Sequence, residues 1–164
     1  MTNTRGYFGI GVEGISKPMN LGNLMRSANA FGANFFFTVN SPLTNRDIGS
    51  DTSNSRDHVP LWQYNSPSEI QLPSRCVLVG VEFSNSAINL PSFPHPISAA
   101  YVLGPEKGSL SAEITGICEY IVKIPTSFCI NVGVAGAIVM YDRLASQGRF
   151  TERPLNPRKT LKTP

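Results

Sequence analysis

The stretch YVLGPEKGSLSAEITGICEYIVKIPTSFCINVGVAGAIVMYDRL, residues 101–144, decides the fold of this chain. It predicts a strand, a helix, a second strand and a second helix over residues 101–103, 112–117, 120–125 and 132–144. Asn131 directly precedes the last helix and is of a residue type suited to an N-cap. Because that helix has no polar face over its first two turns, we expect it to be buried.

Two glycines in this last helix indicate that another part of the chain lies against it. Gly133 and Gly136 each cost about 1 kcal/mol relative to alanine inside a helix. That cost suggests a close backbone approach. The two strands both end in loops rich in glycine or proline, and these loops lie beside the small-residue helix. The arrangement predicts a ligand pocket bordered by backbone groups.

Composition limits the class of protein. The chain has 164 residues, a common size for one domain with a core of its own. Its three cysteines form no Cys-x-x-Cys pair, and the two histidines are isolated, so we expect a reducing, cytoplasmic location and no metal site. No apolar run approaches the roughly 18 residues of a membrane span, and the N-terminus lacks the apolar core of a signal peptide.

Charge is distributed unevenly along the chain. Up to Asp142 there are eight basic and ten acidic residues, whereas six basic residues and one acidic residue follow, beginning with Arg143. A basic tail on a slightly acidic body predicts contact with a polyanion. A solvated tail that keeps the protein soluble is an equally good interpretation of the charge alone.

The first strand candidate, residues 7–12, contains a G-x-G-x-x-G pattern that begins at Gly9. We reject dinucleotide binding, because the glycines lie inside the strand, Pro18 follows instead of a helix start, and no acidic residue lies about 20 residues on. Glycines within a strand mark a close backbone approach.

A helix is predicted over residues 21–31, with Asn20 as its N-cap and Gly32 as its stop. Its core-facing stripe consists of Leu21, Leu24, Met25 and Ala28. A strand over residues 34–39 follows at once. The strand–helix–strand order predicts a right-handed crossover onto a parallel sheet.

The remaining segments complete an α/β pattern. A polar loop, a short strand, a buried strand and an irregular crossover are predicted over residues 41–58, 59–64, 76–81 and 84–96. We therefore predict an α/β fold, a mostly parallel sheet with helices on both faces. Its domain spans residues 1–147, and a basic tail spans 148–164.

Three segments resemble, in order, the three motifs of the SpoU-type RNA ribose 2′-O-methyltransferases of the SPOUT superfamily. They are PMNLGNLMRSA at residues 18–28, LGPE with LS at 103–106 and 110–111, and IP with NVGVA at 124–125 and 131–135. The match extends from about Gly9 to Leu144.

The resemblance implies a C-terminal trefoil knot that binds S-adenosylmethionine as methyl donor, largely through backbone groups. It also implies a homodimer with active sites assembled across the interface, and tRNA or rRNA as substrate. The implied cofactor-binding residues are Val81, Leu103, Gly104, Ile124, Cys129 and Asn131.

By motif position the resemblance implies three catalytic residues: Arg26 matches the family's catalytic arginine, Asn20 its motif 1 asparagine and Glu106 its motif 2 glutamate. Arg26 can fork onto a phosphate and place the ribose. Since arginine stays protonated in proteins, we assign it to positioning and charge stabilisation and leave its role as a base open. RNA contact is assigned to Arg26 and to three arginines of the tail, Arg149, Arg153 and Arg158.

Structural alternatives stay open for several of these residues. Glu106 could support its turn by accepting backbone N–H bonds, and the two asparagines could be caps and nothing more. Ser109 stands where the family has a glycine, and Cys129 replaces a common serine. The alternative function is a non-catalytic RNA-binding module that keeps the knotted fold.

Overall fold

The computed structural model describes residues 6–48, 55–148 and 150. Within them, seven strands and three α-helices follow one another along the chain. They are β1 (Tyr7–Glu13), α1 (Pro18–Ala30), β2 (Phe35–Val39), β3 (Leu61–Tyr64), β4 (Val77–Val81), β5 (Ile88–Asn89), β6 (Ser98–Leu103), α2 (Ala112–Ile117), β7 (Tyr120–Lys123) and α3 (Val132–Gln147).

The strands form one sheet in the order β3-β2-β1-β6-β4-β7-β5, and every pair is parallel. Helices α1 and α3 pack on one face, and α2 contributes Ile114 to the apolar cluster on the other. The predicted α/β class and the helices on both faces are thus confirmed, while the knot and the boundary at residue 147 stay predictions. β5 lies within the segment that was predicted to be an irregular crossover. This strand was not predicted, because two residues are too few to give a periodic signal.

The glycines of β1 make room for aromatic rings of β2. Gly9 pairs with Phe35 and Gly11 with Phe37 in the parallel register. A Cβ atom at either glycine would overlap the ring of its partner. The predicted close approach is therefore present, but it involves side-chain rings instead of backbone.

Helix α1 begins earlier than its apolar stripe indicated. Pro18 is its first residue and Lys17 its N-cap, without a side-chain hydrogen bond. The prediction that Asn20 caps this helix is wrong. The ring of Pro18 fixes φ at a helical value, so the helix starts at Pro18, two residues before Asn20. At the other end Gly32 is the predicted stop, with φ +74°, and Ala33 N donates to Ala28 O at 2.8 Å.

Helix α3 packs closely on α1, but the neighbour at Gly136 is a side chain and not the backbone that its glycines predicted. A Cβ atom at Gly136 would overlap the Leu24 side chain. Asn131 is confirmed as N-cap, since its Oδ1 accepts from the backbone N–H groups of Gly133 (2.9 Å) and Val134 (3.3 Å). The prediction that this helix is buried all round is wrong, because Val134 is 52% exposed and Tyr141 55%.

The last turns of α3 are anchored by an arginine that the charge count had grouped with the basic tail. Arg143 is only 4% exposed. Its guanidinium donates to Pro96 O (2.6 Å), Ile97 O (2.7 Å) and the Tyr101 hydroxyl (3.1 Å). Arg143 therefore belongs to the core and is not available to a polyanion.

His95 extends this buried network. Its ring joins the Tyr101 hydroxyl (2.6 Å from Nδ1) to Asp142 Oδ2 (2.9 Å from Nε2). Because the Asp142 carboxylate can only accept, the proton of neutral His95 lies on Nε2, and Nδ1 accepts from the Tyr101 hydroxyl. Burial lowers the pKa of His95 and outweighs the neighbouring Asp142 carboxylate, which raises it.

We predict that His95 makes the protein less stable as the pH falls. The unfolded chain takes up a proton on histidine near pH 6.5, whereas the folded state resists protonation of His95. The free energy of unfolding should therefore decrease below about pH 6.5, by up to about 1.4 kcal/mol per pH unit from this group. Urea unfolding between pH 7.5 and 5.5 should show that the free energy of unfolding depends less steeply on pH in His95→Gln than in the wild type.

His58 provides the control, because it is the other histidine and is exposed. His58→Gln should retain the wild-type dependence on pH. Equal slopes for the wild type and His95→Gln would contradict the prediction.

Candidate active site

A cleft of about 320 Å³ lies at the carboxyl ends of β6, β4 and β7. Open α/β sheets bind ligands at this edge. The structure brings all six predicted cofactor-binding residues together in its lining, which are Val81, Leu103, Gly104, Ile124, Cys129 and Asn131. Asn20 and Glu106 line the same cleft.

Glu106 fixes the turn between β1 and α1. Its carboxylate accepts from the backbone N–H groups of Lys17 (2.9 Å) and Ser16 (3.2 Å), and from the Asn20 amide (3.3 Å). Burial alone would raise the pKa of Glu106. Hydrogen bonds from its own backbone, Lys17, Asn20 and Ser16 together outweigh burial, so the pKa of Glu106 lies below its usual value. A carboxylate surrounded by donors is a poor proton acceptor, which favours a supporting role.

The two asparagines connect this turn to α3. Asn20 Nδ2 donates to Glu106 Oε1, and Asn20 Oδ1 accepts from Asn131 Nδ2 at 3.1 Å. Asn131 Oδ1 in turn caps α3. One chain of hydrogen bonds therefore joins three segments of the sequence. Asn20 and Glu106 are 86 residues apart, and Asn20 and Asn131 are 111 residues apart.

The motif 2 turn is built around Gly108 instead of the residue after it. Gly108 has φ +104°, a left-handed conformation that favours glycine, whereas Ser109 is not in that region. After this turn, Leu110 N donates to Glu82 Oε2 at 2.7 Å. Sequence reasoning missed Glu82, although its place directly after β4 puts it at the same edge as the cleft.

Arg26 lies outside the cleft, in a neighbouring groove between α1 and α3. The groove has a volume of about 540 Å³, and Arg26 is exposed. Its lining residues come from both helices and their ends: Asn23, Arg26, Ser27, Phe31, Asn131, Gly133, Val134, Ala137, Ile138 and Tyr141. Asn131 lines both cavities, so the arginine groove and the cleft meet at this residue.

The sequence profile of the SpoU rRNA Methylase family matches residues 8–141. The chain belongs to this family. The match includes all three motif segments, the cleft and the groove.

A Staphylococcus aureus protein assigned to the TrmH family of tRNA/rRNA methyltransferases is 23% identical over 138 residues. The match covers 80% of this chain and 56% of that protein, so the chain spans little more than half the length of this relative.

Solved structures of the family share the fold. The SpoU methyltransferase AviRb from Streptomyces viridochromogenes, in complex with AdoMet, superposes with a TM-score of 0.78 at 22% identity, over 86% of this chain and 58% of that one. A structure that concerns 2-OH methylation of C/U34 on tRNA gives a TM-score of 0.73 at 19% identity. This second match covers 86% of this chain and 96% of the other.

The remaining predictions concern the basic tail, metal binding and membrane spans. The tail arginines Arg149, Arg153 and Arg158 lie outside the described residues. Within the described ranges, no three His, Cys, Asp or Glu side chains converge as metal ligands would. None of the helices in those ranges is long and apolar enough to cross a membrane.

We predict that Gly104→Val blocks the cleft of this SpoU family protein. A Cβ atom at residue 104 would lie 3.1 Å from Leu110 N and 3.7 Å from Glu82 Oε2, and valine adds two methyl groups beyond it. Calorimetric titration should show that the affinity for S-adenosylmethionine falls by more than about tenfold, the effect of about 1.4 kcal/mol.

The matched control is Gly116→Val on α2, where a Cβ atom meets nothing within 4 Å. This variant should bind as the wild type does. Wild-type affinity in Gly104→Val would show that the cofactor binds elsewhere.

Proposed function

We propose that this chain transfers the methyl group of S-adenosylmethionine to a ribose 2′-hydroxyl of tRNA or rRNA. The observation that carries the proposal is the cleft itself. All six residues that the family resemblance assigned to the cofactor line it, and the chain Glu106–Asn20–Asn131 holds its three motif segments together. AdoMet in the AviRb complex and 2-OH methylation in the second structural relative support the same chemistry.

The residues divide into two groups in this proposal. The cleft holds the cofactor, while Arg26 in the adjoining groove binds the phosphate beside the reacting ribose. A guanidinium forks onto phosphate through two hydrogen bonds, and holding both reactants in line can supply several kcal/mol of the barrier. Glu106 and Asn20 act as positioning residues, because their hydrogen bonds fix the start of α1 and the cap of α3.

A non-catalytic RNA-binding module is the second candidate. It would retain the groove and the cleft without methyl transfer. Incubation with radiolabelled S-adenosylmethionine and total tRNA or rRNA separates the two candidates. An enzyme leaves label that survives alkaline hydrolysis as a 2′-O-methylated dinucleotide, and a binding module leaves none.

We predict that Arg26→Ala separates catalysis from cofactor binding. The affinity for S-adenosylmethionine should change little, because Arg26 lies in the groove and not in the cleft. Methyl transfer should fall by about 100-fold or more, the effect of losing one preorganised transition-state contact. Arg26→Lys should rescue little, since a point charge does not reproduce the planar fork.

Arg75→Gln removes an exposed arginine at the opposite, amino-terminal edge of the sheet and serves as control. Its activity should match the wild type. Full activity in Arg26→Ala would remove this residue from the mechanism.

The predicted homodimer has support from the exposed apolar face of α3. Val134 and Tyr141 are more than half exposed, and they line the groove with Ala137, Ile138 and Phe31. An apolar helix face left in water marks an interaction surface. We therefore propose that a second copy covers this groove beside Arg26.

We predict that Val134→Glu weakens this dimer without unfolding α3, since an acidic residue is favourable in the first turn of a helix. Sedimentation at micromolar concentration should give twice the chain mass of 17.8 kDa for the wild type and a shift towards the single mass for the variant. Ile97→Glu, at a residue that is 69% exposed outside the groove, should remain dimeric. A monomeric wild type would refute the dimer.

A further inference from the structure

Glu82 is a carboxylate in the cofactor cleft to which no role has been given. It follows β4 directly and lines the cleft between the ends of β6 and β7. Its backbone is fixed, because Glu82 N donates to Val122 O at 2.9 Å. The side chain therefore starts from a rigid strand end at the centre of the cleft floor.

The carboxylate of Glu82 has acceptor capacity left over. Oε2 accepts from Leu110 N at 2.7 Å and Oε1 from Phe83 N at 2.9 Å. An ionised carboxylate offers about four lone-pair sites. None of the described cations forms an ion pair with Glu82. Two acceptor sites on one rigidly held group therefore remain for a ligand in the cleft.

Two neighbouring hydroxyl groups match this pair of acceptor sites. A ribose carries a cis pair at C2′ and C3′, and a carboxylate can accept from both at once. An acidic residue at a strand end performs this function in dinucleotide-binding α/β folds. Resting on the proposed use of S-adenosylmethionine, we infer that Glu82 binds the two ribose hydroxyls of the adenosyl part of the cofactor.

The charges of the cleft favour a cofactor whose ribose lies at Glu82 over one whose methionine part lies there. Lys17 lines the cleft at the start of α1, after β1. β6 separates β1 from β4, so Lys17 and Glu82 lie beside strand ends about 10 Å apart. The methionine part carries both a carboxylate and an ammonium group. Its carboxylate is attracted to Lys17 and would be repelled by Glu82, while Glu106 beside Lys17 attracts the ammonium. The methionine part therefore lies at the Lys17 end, and the ribose at the Glu82 end.

The apolar surroundings of Glu82 fit the adenosyl part as well. Val81, Phe83, Leu103 and Ile124 line the cleft around it. An adenine ring requires apolar walls, and the attached ribose then lies within reach of the carboxylate.

The test measures how binding of S-adenosylhomocysteine depends on single groups of the ligand. Calorimetry compares this ligand with its 2′-deoxy, 3′-deoxy and des-amino analogues, for the wild type and for Glu82→Gln. The glutamine oxygen can still accept from Leu110 N, while its NH₂ group can accept neither from Phe83 N nor from a hydroxyl. Glu119→Gln, at the amino end of β7 on the opposite edge, removes the same charge as a control.

Each deoxy analogue should bind the wild type and Glu119→Gln about tenfold or more weakly than the parent ligand, because a site built to accept from a hydroxyl is left unpaired without it. In Glu82→Gln this penalty should shrink to less than about threefold for at least one hydroxyl. The penalty for the missing amino group should be the same in all three proteins.

Several results would overturn the inference. A wild type that loses less than about threefold with both deoxy analogues refutes it without any variant. Equal deoxy penalties in the wild type and Glu82→Gln also refute it, as does an amino-group penalty that depends on Glu82. All of these leave the proposed function in place, whereas failure of the wild type to bind S-adenosylhomocysteine refutes the proposed function and this inference together.

Discussion

The side-chain amides of Asn20 and Asn131 hold the candidate active site in one arrangement. Each amide donates with its nitrogen and accepts with its oxygen, so the hydrogen bonds run in one direction from the start of α3 to Glu106. A carboxylate at residue 131 would still cap the helix but would have no proton to donate to Asn20. The same two residues therefore connect the first turn of α1, the cap of α3 and the motif 2 turn.

Close packing of α1 and α3 is a condition for this chain of hydrogen bonds. Gly136 leaves space for Leu24, and a Cβ atom at Gly133 would lie 3.6 Å from Asn23 Cβ. A larger residue at Gly136 would push the helices apart, and the 3.1 Å bond between Asn20 and Asn131 would be lost with it. The cost of glycine in a helix is thus offset by the polar contact that it permits at the helix ends.

The sequence predicted the sheet and the cleft well, because strand ends and motif spacing are local signals. Sequence-based prediction failed for features that depend on the surroundings of a residue in the folded chain. Proline fixed the start of α1 ahead of the expected cap, and a charge count could not show that Arg143 is buried against Pro96 and Ile97. An apolar run such as α3 looks the same whether its second face meets the core or a partner. Glu82 belonged to no motif, although its place directly after β4 puts it at the same edge as the cleft.

In the proposed function, catalysis and assembly share one surface of the protein. Arg26 lies in the groove whose other wall is the exposed apolar face of α3, and Asn131 separates this groove from the cofactor cleft. A second copy on that face would exclude water around Arg26, and the attraction between its guanidinium and a phosphate strengthens as the effective dielectric constant falls. An uncovered groove leaves the same arginine in water, where screening weakens that attraction. In the proposed dimer, the apolar residues of α3 would therefore set the electrostatic strength of Arg26 on the neighbouring helix.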